Sequence, residues 1–231
     1  VRYIYCHPLF DERKCAHRFS YQLAKTFEKN NLQLERFDYQ GTGEAKGAFC
    51  DVTTNSLRDD IEAIINSNRT CLIGTRFGAT VAFDCCRQNN SNVQSLILIE
   101  PVVNGQSYAR YLFRKQHLKD IMTGNNSEFT DENGFCNLEG YKTNSKFIDQ
   151  IKEIQLIETA EKIKSGTTVH IVQISTSSRI NSEYDLLAEH LKKTGIPASV
   201  EVFHLPVFWE RIPDEDYSAV TEKIVEWCRW T

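Results

Sequence analysis

The sequence predicts an α/β fold, a mainly parallel sheet with helices on both faces, and three observations carry that expectation. Short apolar runs alternate with amphipathic stretches of helical period along most of the 231 residues, the pattern that builds a parallel sheet through right-handed crossovers. The apolar runs have the length of strands and are bounded by Gly, Pro, Asn and Asp. The third observation is the stretch from Thr70 to Cys86, TCLIGTRFGATVAFDCC. It reads as a buried strand over Thr70–Ile73, a turn bounded by Gly74 and Gly78, and an apolar helix from about Phe77. That layout is G-x-S-x-G, which lifts a serine above a sheet at a nucleophile elbow, but Arg76 stands where the serine would be. A guanidinium stays protonated and offers only donors, so it cannot attack an acyl carbon.

The elements follow in order. Tyr3–Cys6 is a strand, stopped by Pro8, after which Leu9–Lys14 is expected as a loop. His17–Lys29 has Phe19, Leu23, Ala24 and Phe27 at helical spacing. A strand over Gln33–Phe37 leads into the turn Asp38–Gly43, where Asp38 and Tyr39 organise the loop. Asp51 or Thr53 can cap a helix running to about Asn66, with Leu57, Ile61, Ile64 and Ile65 inward. The elbow helix runs to about Gln88, Asn89–Asn92 is a loop, and Gln94–Ile99 is an apolar strand ended by Glu100-Pro101. After Val103 the alternation breaks. Ser107–Met122 reads as a helix, Gly124–Gly134 is polar, Phe135–Tyr141 suits half a hairpin and Phe147–Ile157 is amphipathic. The span of about 104–165 is therefore expected as an insertion over one end of the sheet, a lid on a single domain covering 1–231. Tyr108 and Tyr111 then line either a pocket or the lid's own core. The alternation resumes with a strand at Thr168–Ser175, a helix at Ser182–Lys193, a strand at Ser199–His204 and a helix at Asp216–Trp230.

Composition narrows the function classes. Forty-one per cent hydrophobic residues, with 13 Phe, 9 Tyr and 3 Trp, suffice for a sizeable core. A net charge of −4 and the lack of a basic block argue against nucleic acid as the main partner. No apolar run approaches the roughly 18 residues of a membrane span. The eight cysteines include no C-x-x-C, and no histidine has zinc-site spacing, so neither a metal nor another cofactor is expected. Free cysteines in apolar patterns suit a cytoplasmic protein. Val1–Phe10 carry no signal-peptide pattern, and a start without Met leaves room for an upstream segment.

With these pieces in place the chain resembles the α/β-hydrolase superfamily, in its serine-aminopeptidase and acylesterase-like branch. The resemblance rests on the His7-Pro8 loop, Phe37–Gly43, the Gly74–Gly78 elbow, the strand ending at Glu100 and the position of the insertion. It covers nearly the whole chain from the third strand of that fold onward, without the two leading antiparallel strands. More narrowly, HPLFDERK at 7–14, GTRFGA at 74–79, EPVV at 100–103 and VFW at 207–209 are similar to hydrolase-like proteins of bacterial exosortase and exopolysaccharide systems, a group that can carry arginine at the elbow.

The resemblance implies where a catalytic triad would sit. The nucleophile position is Arg76, the acid position falls in Thr176–Arg179, which holds no carboxylate, and the histidine position falls in Pro206–Trp209. Triad roles depend on one another, so loss of one already disables the mechanism. The oxyanion elements are better kept, with the amide of Phe77 and one from Leu9 or Phe10. As substitutes, Cys6 ends a strand at the active edge but also suits a buried apolar cysteine, and His204 lies near the histidine loop but also suits a strand end. His7 suits a loop pin, Cys85 and Cys86 suit packing, and Thr75 would point sideways. Glu100 is expected to pair with Arg76, and Arg179 to reach the same spot from the neighbouring loop. Arg76 and the elbow-helix amides would then favour an anionic small molecule unless Glu100 neutralises the arginine. The expected function is ligand or partner binding by a hydrolase fold with a degenerate triad, in a setting of exopolysaccharide or envelope assembly. The alternatives are an active esterase, thioesterase or acyltransferase using Cys6 or His204, and a scaffold that binds a protein through the lid.

Overall fold

The computed structural model describes residues 1–65, 68–87, 92–124, 131–163, 166–212 and 214–229. The chain begins with β1 (Arg2–Cys6), α1 (Phe10–Cys15), α2 (His17–Lys29), β2 (Leu34–Arg36) and α3 (Thr54–Ile64). The elbow region follows as β3 (Thr70–Thr75), α4 (Phe77–Arg87) and β4 (Val93–Ile99). Next come α5 (Gly105–Thr123), β5 (Phe135–Leu138), β6 (Tyr141–Asn144), α6 (Ser145–Lys152) and α7 (Leu156–Thr159). The chain closes with β7 (Thr168–Ile174), α8 (Ser182–Lys193), β8 (Ala198–Phe203) and α9 (Ser218–Arg229). The expected ends at Asn66, Gln88 and Trp230, most of the Asn89–Asn92 loop and positions 125–130 of the polar stretch lie outside the described residues.

Residues 1–37, 61–103 and 156–231 form one compact unit, and 38–60 with 104–155 form a second. The first holds a six-stranded sheet in the order β2-β1-β3-β4-β7-β8, every neighbouring pair parallel. Cys6 is in register with Gly74, Thr75 with Ile99, and Ile99 with Val172. The carboxyl ends of the central strands therefore reach one edge, where open α/β sheets place their sites.

The pleat sorts the strand residues onto two faces. Tyr3, Tyr5, Cys71, Ile73, Ile97, Ile99, Val172 and Ile174 share a buried cluster with α2 and α9. Phe19, Leu23 and Phe27 recur every four residues along α2 and have no exposed surface, each contributing about 2 kcal/mol by leaving water. Ile4, Leu72, Leu96, Leu98, Val169 and Ile171 alternate with the first set and are likewise buried. α4 packs on β1, β3 and β4, and α8 on β7 and β8. Among the residues of α4 only Asp84 and Arg87 are not buried, so this helix is apolar nearly all round, as a core helix must be.

Local chemistry explains most boundaries. Thr53 Oγ1 accepts from the Ser56 amide at 2.9 Å while Ser56 Oγ accepts from the Thr53 amide at 2.9 Å, a reciprocal cap that selects Thr53 over Asp51. Asn181 caps α8 through its side chain, with Glu183 and Asp185 in the first turn and His190, Lys192 and Lys193 in the last, complementing the helix dipole. In the second unit, Phe135–Tyr141 is the first strand and turn of a hairpin that β6 completes. Glu139 and Gly140 both have positive φ, 56° and 97°, as a two-residue type I′ turn requires. The expected loop at Leu9–Lys14 is a correction, because α1 starts at Phe10. Asp11 and Glu12 sit in its first turn and Arg13 and Lys14 in its last, so after Pro8 ends the strand these charges match a helix dipole. His204 is also displaced from expectation, lying just beyond the end of β8.

His170 on β7 stacks on Trp227 of α9, ring centroids 4.4 Å apart, and its Nδ1 lies 2.8 Å from Ser199 Oγ. Burial, helped by the nearby Lys223 ammonium, lowers its pKa to about 4 from an ordinary 6.5. The unfolded chain therefore binds a proton here that the folded chain refuses. The contribution of His170 to stability is complete above about pH 6.5 and is lost as pH falls through about 4. Urea titrations over this range should show the protein losing stability relative to His170→Phe, which keeps the stack without the titration. Parallel pH profiles would contradict this account.

Candidate functional site

The elbow is built by two glycines whose absent side chains let backbones touch. A Cβ on Gly78 would lie 2.3 Å from the carbonyl oxygens of Cys6 and His7, and one on Gly74 would lie 2.4 Å from Ala79 Cα. Between them Arg76 holds φ at 53°, a left-handed conformation costing a side-chain-bearing residue roughly 1 kcal/mol. Its amide donates to Ile99 O at 2.9 Å, and its carbonyl accepts from Ala79 and Thr80 to start α4. Thr80 Oγ1 then donates to Val102 O at 2.9 Å and accepts from the Val102 amide at 3.0 Å, tying the elbow helix to the segment after β4. Phe10 and Glu100, after the neighbouring strands β1 and β4, are also left-handed, at 55° and 49°. Three left-handed residues thus follow the adjacent strands β1, β3 and β4 at one edge of the sheet.

Arg76 is enclosed. Its Nε donates to Glu12 Oε1 at 3.2 Å, its Nη1 donates to the backbone carbonyl of Glu100 at 3.3 Å, and its guanidinium lies 5.2 Å from the centre of the Trp209 ring. The Glu12 side chain has no exposed surface and that of Arg76 is 15% exposed. The expected Arg76–Glu100 ion pair is therefore a correction: the carboxylate on Arg76 is Glu12 of α1. Glu100 instead accepts from the Ile174 amide at 2.7 Å and the Tyr184 hydroxyl at 2.8 Å. Burial raises its carboxyl pKa above the usual range, opposed by the Ile174 amide, the charge of Arg76 and the Tyr184 hydroxyl. Its acid group thus joins β4 to β7 and α8.

The remaining candidates fall as follows. Phe77 opens α4 and Leu9 and Phe10 follow β1, all three buried and on neighbouring strand ends, where the oxyanion amides are expected. Cys6 ends β1 and is fully buried, and His204 is exposed past β8. Arg179 is exposed after β7, its amide donating to Ser177 Oγ and its carbonyl accepting from Gln173. His7 Nδ1 lies 2.8 Å from Pro8 O, as a loop pin would place it. Thr75 Oγ1 accepts from the Tyr5 hydroxyl at 3.0 Å below the elbow. In the histidine loop Phe208 stacks on Phe19 with centroids 4.1 Å apart and meets Trp209 and Tyr217 edge-on. The Tyr217 hydroxyl closes this loop by donating to Pro206 O at 2.8 Å. All eight cysteines are free thiols. Among the described residues no cluster of His, Cys, Asp or Glu could hold a metal, and no helix is long and apolar enough to cross a membrane.

Sequence reasoning missed Glu12 and the contact of Trp209. The signal for Glu12 was present, since the acid-first, base-last order of 11–14 is that of a short helix. Nothing local signals Trp209, which meets Arg76 across 133 residues of chain.

No protein-family model and no curated protein sequence matches the chain. Solved structures do. Est1E from Butyrivibrio proteoclasticus, solved with ferulic acid bound, superposes with a TM-score of 0.70 at 15% identity, over 98% of this chain and 87% of that one. Proline iminopeptidase from Mycobacterium smegmatis gives 0.68 at 10% identity, over 100% and 89%. Alpha/beta hydrolase domain-containing protein 10 from mouse gives 0.63 at 14%, over 98% and 89%. The fold is that of the α/β hydrolases.

Proposed function

We propose that this chain is a hydrolase-fold protein that binds a ligand or partner at its strand edge and does not cleave acyl bonds there. One observation carries the reading: the elbow position is filled by Arg76, locked against buried Glu12 and the Trp209 ring. The loop that would offer a histidine is filled by Phe208 and Trp209, both buried. A guanidinium held this way is neither nucleophile nor base. Since Glu12 balances its charge, the edge favours an uncharged ligand or a protein surface over a free anion. The likeness of the 7–14 and 74–79 segments to exosortase-associated proteins supports a setting in exopolysaccharide or envelope assembly.

Hydrolysis of p-nitrophenyl acetate and butyrate should not exceed that of a denatured control, and Arg76→Ser should add nothing, because acid and base would still be missing. Turnover abolished by Cys6→Ala or His204→Ala would overturn the reading in favour of relocated catalysis. Inorganic phosphate, a sugar phosphate and short acyl carboxylates should leave the melting temperature unchanged. A rise that Arg76→Met removes would show that the edge is an anion site.

A further inference from the structure

Helix α5 presents an outward face that the elbow reading does not use. Arg110, Arg114, His117, Leu118, Ile121 and Met122 are all exposed, and their spacings of three and four place them on one side of the helix. The half nearer the helix start is cationic. The half nearer its end is apolar and unusually open: Leu118 is 55% exposed, Ile121 65% and Met122 87%. On α5 itself no exposed acid offsets the charge: its only carboxylate, Asp120, is half-buried and accepts from Gln116 at 2.7 Å. Lys115 and Lys119 turn to the hairpin, pairing with the Glu139 carboxylate and donating to its carbonyl. Among the described residues Arg114 has no carboxylate partner.

We propose that this face of α5 docks the protein on an anionic lipid surface. A convex helix side with open Leu, Ile and Met beside arginines suits the headgroup boundary, where apolar side chains enter the acyl region and cations meet lipid phosphates and carboxylates. A protein partner would need a groove shaped to these projecting side chains. A second copy of this chain meeting it about a two-fold axis with the two helices parallel would bring Arg110 and Arg114 toward their own copies. The chain as a whole carries a net charge of −4, which such a membrane repels, so the basic face is the one oriented toward it.

Liposome flotation of the full chain tests this. Phosphatidylcholine vesicles containing phosphatidylserine should carry the protein upward, phosphatidylcholine alone should not, and high salt should release it. Each cation near such a surface strengthens partitioning about fivefold, so Arg110→Glu with Arg114→Glu should weaken it at least about 25-fold. Leu118→Ser, Ile121→Ser and Met122→Ser together should abolish it. All are surface changes, so melting curves should match the parent, and Lys25→Glu, exposed on α2, should bind normally. Absent or lipid-independent flotation, or an equal loss in Lys25→Glu, would refute the proposal. So would a lipid-free dimer that the triple serine variant dissociates, which would assign the face to a second copy.

Discussion

Arg76→Met should destabilise the protein by about 3 kcal/mol, and adding Glu12→Leu should restore most of that loss. The pair is buried, with 3.2 Å between Nε and Oε1 and a carboxylate without exposed surface. Taking one member away leaves the other's charge in a place water does not reach well, which costs about 3–5 kcal/mol. Replacing both with apolar side chains of similar volume removes the desolvation cost together with the attraction, and such swaps are often neutral. Urea unfolding of the parent, both single variants and the double closes the cycle. A coupling below about 0.5 kcal/mol would place the pair with exposed ones, whose contribution is that small. Methionine suits the test because an unbranched side chain tolerates φ of 53° better than a β-branched one.

Gly78→Ala should cost about 3 kcal/mol or more, enough to lower the melting temperature by roughly 6–12 °C in a chain of this size. The added methyl would lie 2.3 Å from two backbone oxygens, Cys6 O and His7 O. No flexible side chain is there to yield, so either β1 or the elbow helix must move. Gly166→Ala is the control: a Cβ there meets nothing within 4 Å, and only its φ of 94° opposes the change. It should therefore cost less than Gly78→Ala. Equal melting temperatures for the two would mean that the close approach of β1 to α4 contributes little.

The parts of this protein legible in its sequence are those governed by near neighbours. Helices α2 and α8 occupy the expected 17–29 and 182–193, because apolar spacing and caps act within a turn or two. Gly74 and Gly78 announced the elbow for the same reason, and Arg76 announced that no serine sits on it. Thr53 was already one of two candidate caps, and the reciprocal bond to Ser56 three residues on decided between them. What only the tertiary structure decided is which groups meet at the edge. Glu12 and Glu100 both follow strands that reach it, and sequence pattern favoured the acid on the consecutive crossover. The Ile174 amide and Tyr184 hydroxyl, from β7 and α8, hold the Glu100 carboxylate, while α1 turns Glu12 onto an arginine 64 residues away. Phe208 and Trp209 likewise read as a mere absence of histidine until Phe19, Tyr217 and Arg76 are brought against them. Local periodicity determines the elements. Partner choice for a buried charge depends on which donors distant segments deliver, and that is settled by packing.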